Sequence, residues 1–275
     1  MKKSIEIVSL LIISSFTLTG QKILFKPELK PNSTYYTLQE NSTTTEVTYK
    51  GSEEFIEKLK EKGVTSPSMS SSKFLMKSRM QSFELQKNNR MRMQTEFIEI
   101  KSSGRDSLVN ALLGIKIYAT GDKDLNIIVD SITGTTNQDL KASVAQVTAQ
   151  LSVKSIYPAK KIKLGKSFEK TAPFKYAISS DKSILAQVIN TYRLDTIEKA
   201  FAVFHIDQKI IMDMTVNDQD INVHGSGSGR IVYDLVNKTN RLYQTELEFD
   251  YEWQIQDISI TAKSITFSKT ETLVE

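Results

Sequence analysis

Cysteine is absent from the 275-residue sequence. Its absence excludes disulfide bonds, a thiolate nucleophile and every zinc site that needs cysteine ligands. Only two histidines and one tryptophan are present. With 39% hydrophobic and 25% charged residues, however, the composition is that of an ordinary folded protein. The core is expected to form without a covalent cross-link.

Long apolar runs are also missing, with one exception near the start. Val8 to Phe16 is apolar apart from three serines, follows two lysines and precedes small residues that end at Gly20. This order is typical of a cleavable export signal over residues 1–20. The run is shorter than the roughly 20 residues that span a bilayer, and no second run follows. A bacterial lipoprotein carries a cysteine directly after the cleavage site, where this chain has Gln21. We therefore expect a periplasmic or secreted protein without a lipid anchor.

Charge of either sign is not concentrated. The chain has 36 Lys and Arg against 32 Asp and Glu, which leaves a net charge of +4. The basic residues are interspersed with acids rather than gathered into a stripe, which disfavours a nucleic-acid partner.

The sequence does contain segments in which apolar and polar residues alternate. From Leu242 to Ile255, apolar side chains including Leu247 alternate with acids, which is typical of a long half-buried strand. Strands preceding and following it predict a meander at the C-terminus, and the alternation slips near Lys263, where we expect a bulge or bend. The fold class predicted is mainly β (α+β), with antiparallel curved sheets or an open barrel, two similar halves and two or three short helices.

Hairpins and helices are predicted earlier in the chain from residue patterns of the same kind. Hairpins are predicted at Lys73 to Lys101, turning at Asn88-Asn89, and at Ile115 to Ile132. Amphipathic periodicity and capping residues predict helices at Glu53 to Lys62 and Asn137 to Ser152. A shorter helical turn is expected from Ser107 to Leu113.

The two halves of the chain resemble one another in their entry strands, each with a proline, a turn and an aromatic strand start. Duplication of a β unit and convergent turn chemistry both explain this likeness. The organisation we predict is a signal peptide at 1–20, an N-terminal β half at 21–136, a connecting helix at 137–152 and a C-terminal β half at 153–275.

Several short motifs carry a family resemblance. They are Tyr157-Pro158, Lys163-Leu164-Gly165-Lys166-Ser167-Phe168, and Gly225-x-Gly227-x-Gly229 leading into Tyr233-Asp234. Together with the export signal they resemble an uncharacterised family of exported bacterial envelope β-proteins, a domain of unknown function. The resemblance implies a compartment and a β architecture, and no activity.

Catalytic motifs are not found. His205 and His224 have no partner at metal-ligand spacing, and we interpret both as strand residues. Gly225 to Gly229 precedes a strand rather than a helix, so a turn or bulge is predicted there instead of a phosphate-binding loop. The acids of 246–252 lie at a spacing compatible with glycosidase pairs, but any acidic strand face gives that spacing. No enzyme activity, metal or cofactor is predicted.

Methionines give the most specific signal. They crowd between Met69 and Met93, which suits core packing, a soft wall for a hydrophobic ligand or, through sulfur, Cu(I). We predict an exported non-catalytic binding protein of the cell envelope, with an apolar cavity between the sheet and the helix at Glu53 to Lys62. The alternative is a structural or adhesive module that contacts envelope protein or glycan, and a hydrolase is a third hypothesis. The candidate ligand-binding residues are Met76, Met80, Met91, Met93, Phe249, Tyr251 and Trp253, for a lipid or other hydrophobic molecule.

Overall fold

The computed structural model describes residues 21–103, 111–150, 157–158, 160–177, 183–216, 219–255 and 258–275. The predicted signal segment and most of the predicted turn at 107–113 lie outside these residues. The described part contains thirteen strands and two helices. The strands are β1 (Lys22–Ile23), β2 (Thr34–Lys50), β3 (Ser68–Leu85), β4 (Arg90–Ser102), β5 (Lys116–Asp122), β6 (Ile127–Thr133), β7 (Ile162–Lys163), β8 (Ser167–Ala177), β9 (Ser183–Glu198), β10 (Phe201–Val216), β11 (Gln219–Asp234), β12 (Thr239–Ile255) and β13 (Ile258–Val274).

Eleven of these strands form one antiparallel sheet. Its order is β6-β5-β4-β3-β2-β13-β12-β11-β10-β9-β8, and β1 pairs separately with β7. The mainly β, antiparallel fold is thus confirmed, and the sheet is not closed. Because β13 pairs with β2 along sixteen residues, the sheet runs without interruption from one half of the chain into the other. The duplication of a β unit and the domain division stay predictions.

The sheet is strongly curled at one end by the segment between β1 and β2, residues 24–33, which we call the strap. The amide of Glu28 donates to the Lys238 carbonyl at 2.8 Å, and the next amide, of Leu29, donates to the Lys123 carbonyl at 3.0 Å. Lys238 lies in the turn between β11 and β12, and Lys123 in the turn between β5 and β6. In a flat sheet those turns would be six strand spacings, about 29 Å, apart. Consecutive strap residues contact both, so the two sides of the sheet curve toward each other here.

Two apolar clusters lie under the strap. In the first cluster, Phe25 of the strap is fully buried and its ring centroid lies 4.4 Å from Phe204 and 5.1 Å from Tyr233. In the second cluster, Leu29 packs with Tyr35, Met91 and Met93. The strap therefore supplies a buried side chain to the core on each side of the curl.

Both helices form where their caps predict them. α1 (Glu53–Glu61) begins after Ser52, whose hydroxyl accepts a hydrogen bond from the Phe55 amide. α2 (Gln138–Gln150) begins after Asn137, whose side chain accepts from the Leu140 amide at 3.0 Å. α2 packs against β6. α1 has no buried residue, and it therefore does not enclose an apolar cavity with the sheet.

Two local predictions were wrong for a shared reason. No bulge occurs near Lys263, because β13 keeps a continuous register with both neighbours. The change in pattern comes from Ile265, which lies on the opposite face and is 42% exposed. Gly225, Gly227 and Gly229 form no turn or bulge either, because they lie inside β11 and pair in regular register with β10 and β12. In both places the side chains change while the backbone keeps a regular strand conformation.

Candidate binding surface on the inner face of the sheet

The inner face of the sheet is the one that carries the two apolar clusters. Because side chains alternate along a strand, the residues of this face follow from the register of the buried ones. Toward the strap this face is fully covered. Beyond the clusters, on the central strands β2 and β13, this face carries mostly half-buried polar side chains, so a surface remains there that the clusters do not fill.

Hydroxyl groups dominate that central surface. Three cross-strand pairs join β2 to β13 through their side-chain oxygens. They are Thr37 with Thr272 at 3.5 Å, Thr43 with Thr266 at 3.1 Å and Thr45 with Ser264 at 2.5 Å. Threonine fits a pleated surface well because its Cβ is branched, so these residues build the strands and make their inner side polar at once. Each hydroxyl keeps further hydrogen-bonding capacity after pairing.

Two amide side chains add unused acceptors to this face. Asn41 Oδ1 on β2 and Gln208 Oε1 on β10 are buried atoms with no hydrogen-bond partner in the part of the chain that the structure describes. Buried polar atoms without a partner are uncommon and costly in folded proteins. Both atoms can accept a hydrogen bond from a hydroxyl or amide group of a bound molecule.

Aromatic rings border the hydroxyl surface on β12. Phe249 and Tyr251 face inward with ring centroids 6.2 Å apart. Phe249 leans over β11, where a Cβ at Gly225 would lie 2.6 Å from its ring. The glycine thus leaves the space that the phenyl ring occupies. The result is an apolar strip beside a polar one on the same face.

The predicted ligand-binding residues are not brought together. Met91 and Met93 are 0% and 2% exposed and lie in the second cluster, with Met80 packed against it. Met76 is half-buried on the inner face of β3, three strand positions away from Phe249, Tyr251 and Trp253 on β12. That these seven residues bind a ligand stays a prediction.

The signal that sequence reasoning missed is the spacing of hydroxyl residues. Ser264, Thr266, Ser268, Thr270 and Thr272 recur at every second position of β13. Such strict alternation places all five on one face of a strand. It could have been found beside the aromatic alternation of β12.

The outward face is charged. Glu248 pairs with Lys263, and this ion pair raises the pKa of Lys263. Asp250 and His224 lie beside them around a cavity of about 600 Å³ that is open to solvent. On β4, salt bridges from Lys101 and Lys77 lower the pKa of Glu99 to about 2. The acidic strand predicted from alternation is thus an outward, water-facing surface.

Tyrosines in the first cluster are held neutral. Burial raises the pKa of Tyr157 and of Tyr233 to about 12, and the Tyr233 hydroxyl donates to the Lys26 carbonyl at 2.8 Å. The Tyr233 hydroxyl therefore fixes the strap, and both tyrosines stay protonated at neutral pH. Among the described residues, no group of three or more His, Cys, Asp and Glu side chains could hold a metal ion.

Comparison with known proteins gives no family. No protein-family model matches the chain, and no curated protein matches it. The resemblance to an uncharacterised envelope family therefore stays a prediction. In the part of the chain that the structure describes, no helix has the length and apolar character to cross a membrane.

Solved structures give weak matches. Ail, the attachment invasion locus protein of Yersinia pestis, is 5% identical with a TM-score of 0.16, and 88% of this chain and 99% of that one are covered. An outer membrane channel from Pseudomonas putida F1 is 8% identical with a TM-score of 0.20, covering 90% and 98%. The P. putida toluene transporter TodX is 10% identical with a TM-score of 0.20, covering 88% and 90%. None of the three is named as an enzyme.

These matches correct two predictions. The matched proteins belong to the outer membrane, which contradicts the prediction of a periplasmic or secreted, non-catalytic binding protein. That function and that location are therefore not retained. TM-scores this low carry no further argument, so neither the architecture nor the activity of the matched proteins is transferred to this chain.

Proposed function

We propose that the inner face of the sheet binds an elongated, hydroxyl-rich molecule, that is, a glycan chain. The observation that carries this proposal is the half-buried surface of paired threonine and serine hydroxyls on β2 and β13, together with the unpartnered Asn41 Oδ1. A buried polar surface is stabilised only when its groups are hydrogen-bonded. A ligand rich in hydroxyls can both donate to and accept from such groups.

A purely apolar ligand fits this surface less well. The methionines under the strap are not open to such a ligand, since Met91 and Met93 are 0% and 2% exposed and pack with Leu29 and Tyr35. Placing a hydrocarbon on the threonine pairs would also leave their remaining hydrogen-bonding capacity unmet, at a cost of about 1–3 kcal/mol for each buried group.

The aromatic strip completes the proposed site. One face of a sugar ring presents C–H groups, which pack on aromatic rings, while its edge presents hydroxyls. Phe249 and Tyr251 lie beside the hydroxyl pairs on the neighbouring strand. A glycan chain could therefore lie with its ring faces on β12 and its hydroxyls toward β13 and β2. Trp253, two residues further along β12, belongs to the proposed strip by position.

The proposed contact of the inner face with the ligand is hydrogen bonding through its hydroxyl groups. Hydroxyl groups become nucleophiles when a base lies within hydrogen-bonding reach. The hydrogen-bond partners of Thr37, Thr43 and Thr45 on β13 are other hydroxyls, and these are too weakly basic to activate one another. The threonine pairs therefore hold a ligand through hydrogen bonds.

The test is a matched pair of substitutions at adjacent residues. Thr43 lies on the inner face and bonds to Thr266, whereas Thr44 lies on the outward face and is exposed. Valine has the shape of threonine without its hydroxyl. In calorimetric titrations with a panel of soluble neutral and acidic oligosaccharides, we expect Thr43→Val to weaken binding by about three- to tenfold, the loss of one hydrogen bond.

Thr44→Val is the control, and it should bind as the unsubstituted protein does. Equal weakening by both substitutions would contradict the inner-face location. Absence of binding to every oligosaccharide in the panel would contradict the proposed function itself.

A further inference from the structure

One row of side chains crosses the inner face beside the first apolar cluster. Lys170 on β8 is paired with Asn190 on β9, Asn190 with Gln208 on β10, and Gln208 with Gly227 on β11. Directly opposed side chains on neighbouring strands lie about 5 Å apart at their Cβ atoms. The row therefore places an ammonium group, two amides and a backbone without a side chain next to one another.

The two amides are deeply buried. Asn190 is 7% exposed and Gln208 is 6% exposed. Gln208 Nε2 donates to Asn190 Oδ1 at 2.7 Å and to the Tyr243 hydroxyl at 3.3 Å. These bonds hold the Gln208 amide in one orientation, and they leave its Oε1 without a partner. The acceptor is thus fixed in place before any ligand arrives.

Lys170 is unusual for its position. Among the described residues whose register places them on the inner face of the 11-stranded sheet, it alone carries a charge. It is half-buried, and no ion pair joins it to another described residue. A half-buried ammonium group gains most from a negatively charged partner, because interactions between charges are stronger where water is partly excluded.

A lysine that points inward from an edge strand can also serve to block pairing with another sheet. β8 is an edge strand, but it already contains Pro173, which lacks the amide that pairing needs. Edge protection therefore does not require Lys170, and it does not explain the fixed amides beside it.

We infer that Lys170, Asn190 and Gln208 form an acid-recognition subsite, and that the ligand of the inner face is an acidic glycan whose carboxylate or phosphate pairs with the Lys170 ammonium while a neighbouring hydroxyl donates to Gln208 Oε1. This inference rests on the proposed function and narrows its ligand class. The subsite lies on the same face as the threonine pairs, since Gly227 is followed in the row by Leu247, Thr266 and Thr43.

The test compares three probes on the full chain: a neutral oligosaccharide, and the same oligosaccharide carrying either a carboxylate or a phosphate. We expect at least one acidic probe to bind about tenfold more tightly than the neutral one, as a charge-assisted hydrogen bond does. The acidic probe with the larger gain in affinity over the neutral probe identifies which acidic group the subsite prefers. Lys170→Gln should abolish this preference while leaving the affinity for the neutral probe unchanged.

Lys209→Gln is the matched control, because Lys209 lies on the outward face of β10 next to Gln208 and is exposed. It should keep the full preference. Equal loss of preference in both variants would mean general electrostatic attraction and would overturn the subsite. Weakening of neutral and acidic probes alike by Lys170→Gln would also overturn it, since Lys170 would then be structural.

The failure of the subsite can be told from the failure of the proposed function. Binding of all three probes with equal affinity overturns the acid preference and leaves glycan binding standing. Binding of none of the probes overturns both.

Discussion

At the scale of single residues, Phe25 has the largest structural role. Its ring is fully buried and contacts five other aromatic rings, those of Tyr157, Phe168, Tyr192, Phe204 and Tyr233. These rings come from a loop and from four different strands. One side chain of the strap therefore holds together elements that lie far apart in the sequence.

We expect Phe25→Ala to lower the free energy of unfolding by about 3–5 kcal/mol, the usual cost of removing a buried phenyl ring. Urea denaturation followed by tryptophan fluorescence measures it, since the chain has one tryptophan. Leu24→Ala is the control, because Leu24 is 41% exposed and its removal should cost less than about 1 kcal/mol. Similar losses in both variants would mean that the strap does not insert as described.

Residue identity also explains which predictions held. Asn89, predicted in a hairpin turn, has a φ of 59°, a conformation that asparagine tolerates better than most residues. Leu125 and Lys238 have positive φ as well, at 63° and 50°. Neither residue type favours this conformation, so the sequence does not predict it. Turn positions are therefore predictable where asparagine occurs and hidden where tertiary contacts impose the conformation.

At the scale of elements, β11 is the least expected strand. Glycine is normally depleted in strand interiors because it adds no packing surface. In β11 the missing side chains let β12 approach closely: a Cβ at Gly227 would lie 2.7 Å from the Leu247 side chain and within the contact radius of the Glu246 carbonyl oxygen. The glycines are therefore fitted to their neighbours across the strand pair.

Gly227→Ala should accordingly destabilise the protein by about 1–3 kcal/mol or more through overpacking. Ser228→Ala is the control, because Ser228 is the next residue of β11 and is exposed on the outward face. It should change stability by less than about 0.5 kcal/mol. Thermal melts of the two variants separate these outcomes, and a Gly227→Ala variant as stable as the unsubstituted protein would contradict the close approach of β11 and β12.

At the scale of the whole molecule, the curl of the sheet brings its two sides toward each other. Its evidence is the pair of strap amides, of Glu28 and Leu29, that reach turns on opposite sides of the sheet. Around them, Lys26 pairs with Asp124 at 2.6 Å and Lys238 with Glu28 at 2.8 Å. These ion pairs are partly exposed and individually weak, so the buried side chains of Phe25 and Leu29 supply most of the stabilisation.

The curl is measurable because the chain has no cysteine, and introduced ones can be labelled alone. Spin labels at Lys123→Cys and Lys238→Cys should give a mean separation well below the roughly 29 Å expected for the same turns in a flat sheet. Adding Phe25→Ala should lengthen or broaden the distance distribution. A separation near or above the flat-sheet value in the otherwise unsubstituted protein would show that the two sides of the sheet do not meet.

The β class, the caps of α1 and α2 and the alternating faces of β12 follow from the amino-acid order, because each depends on residues close together in the chain. The strand order, the curl and the burial of the methionines in the second cluster come from the folded chain, since they depend on contacts between residues as far apart as Phe25 and Phe204 or Leu29 and Lys123. The folded chain also decided the candidate site. The hydroxyl pairs of β2 and β13 come from opposite ends of the chain, and their alternation acquires a shared surface only once those strands are paired.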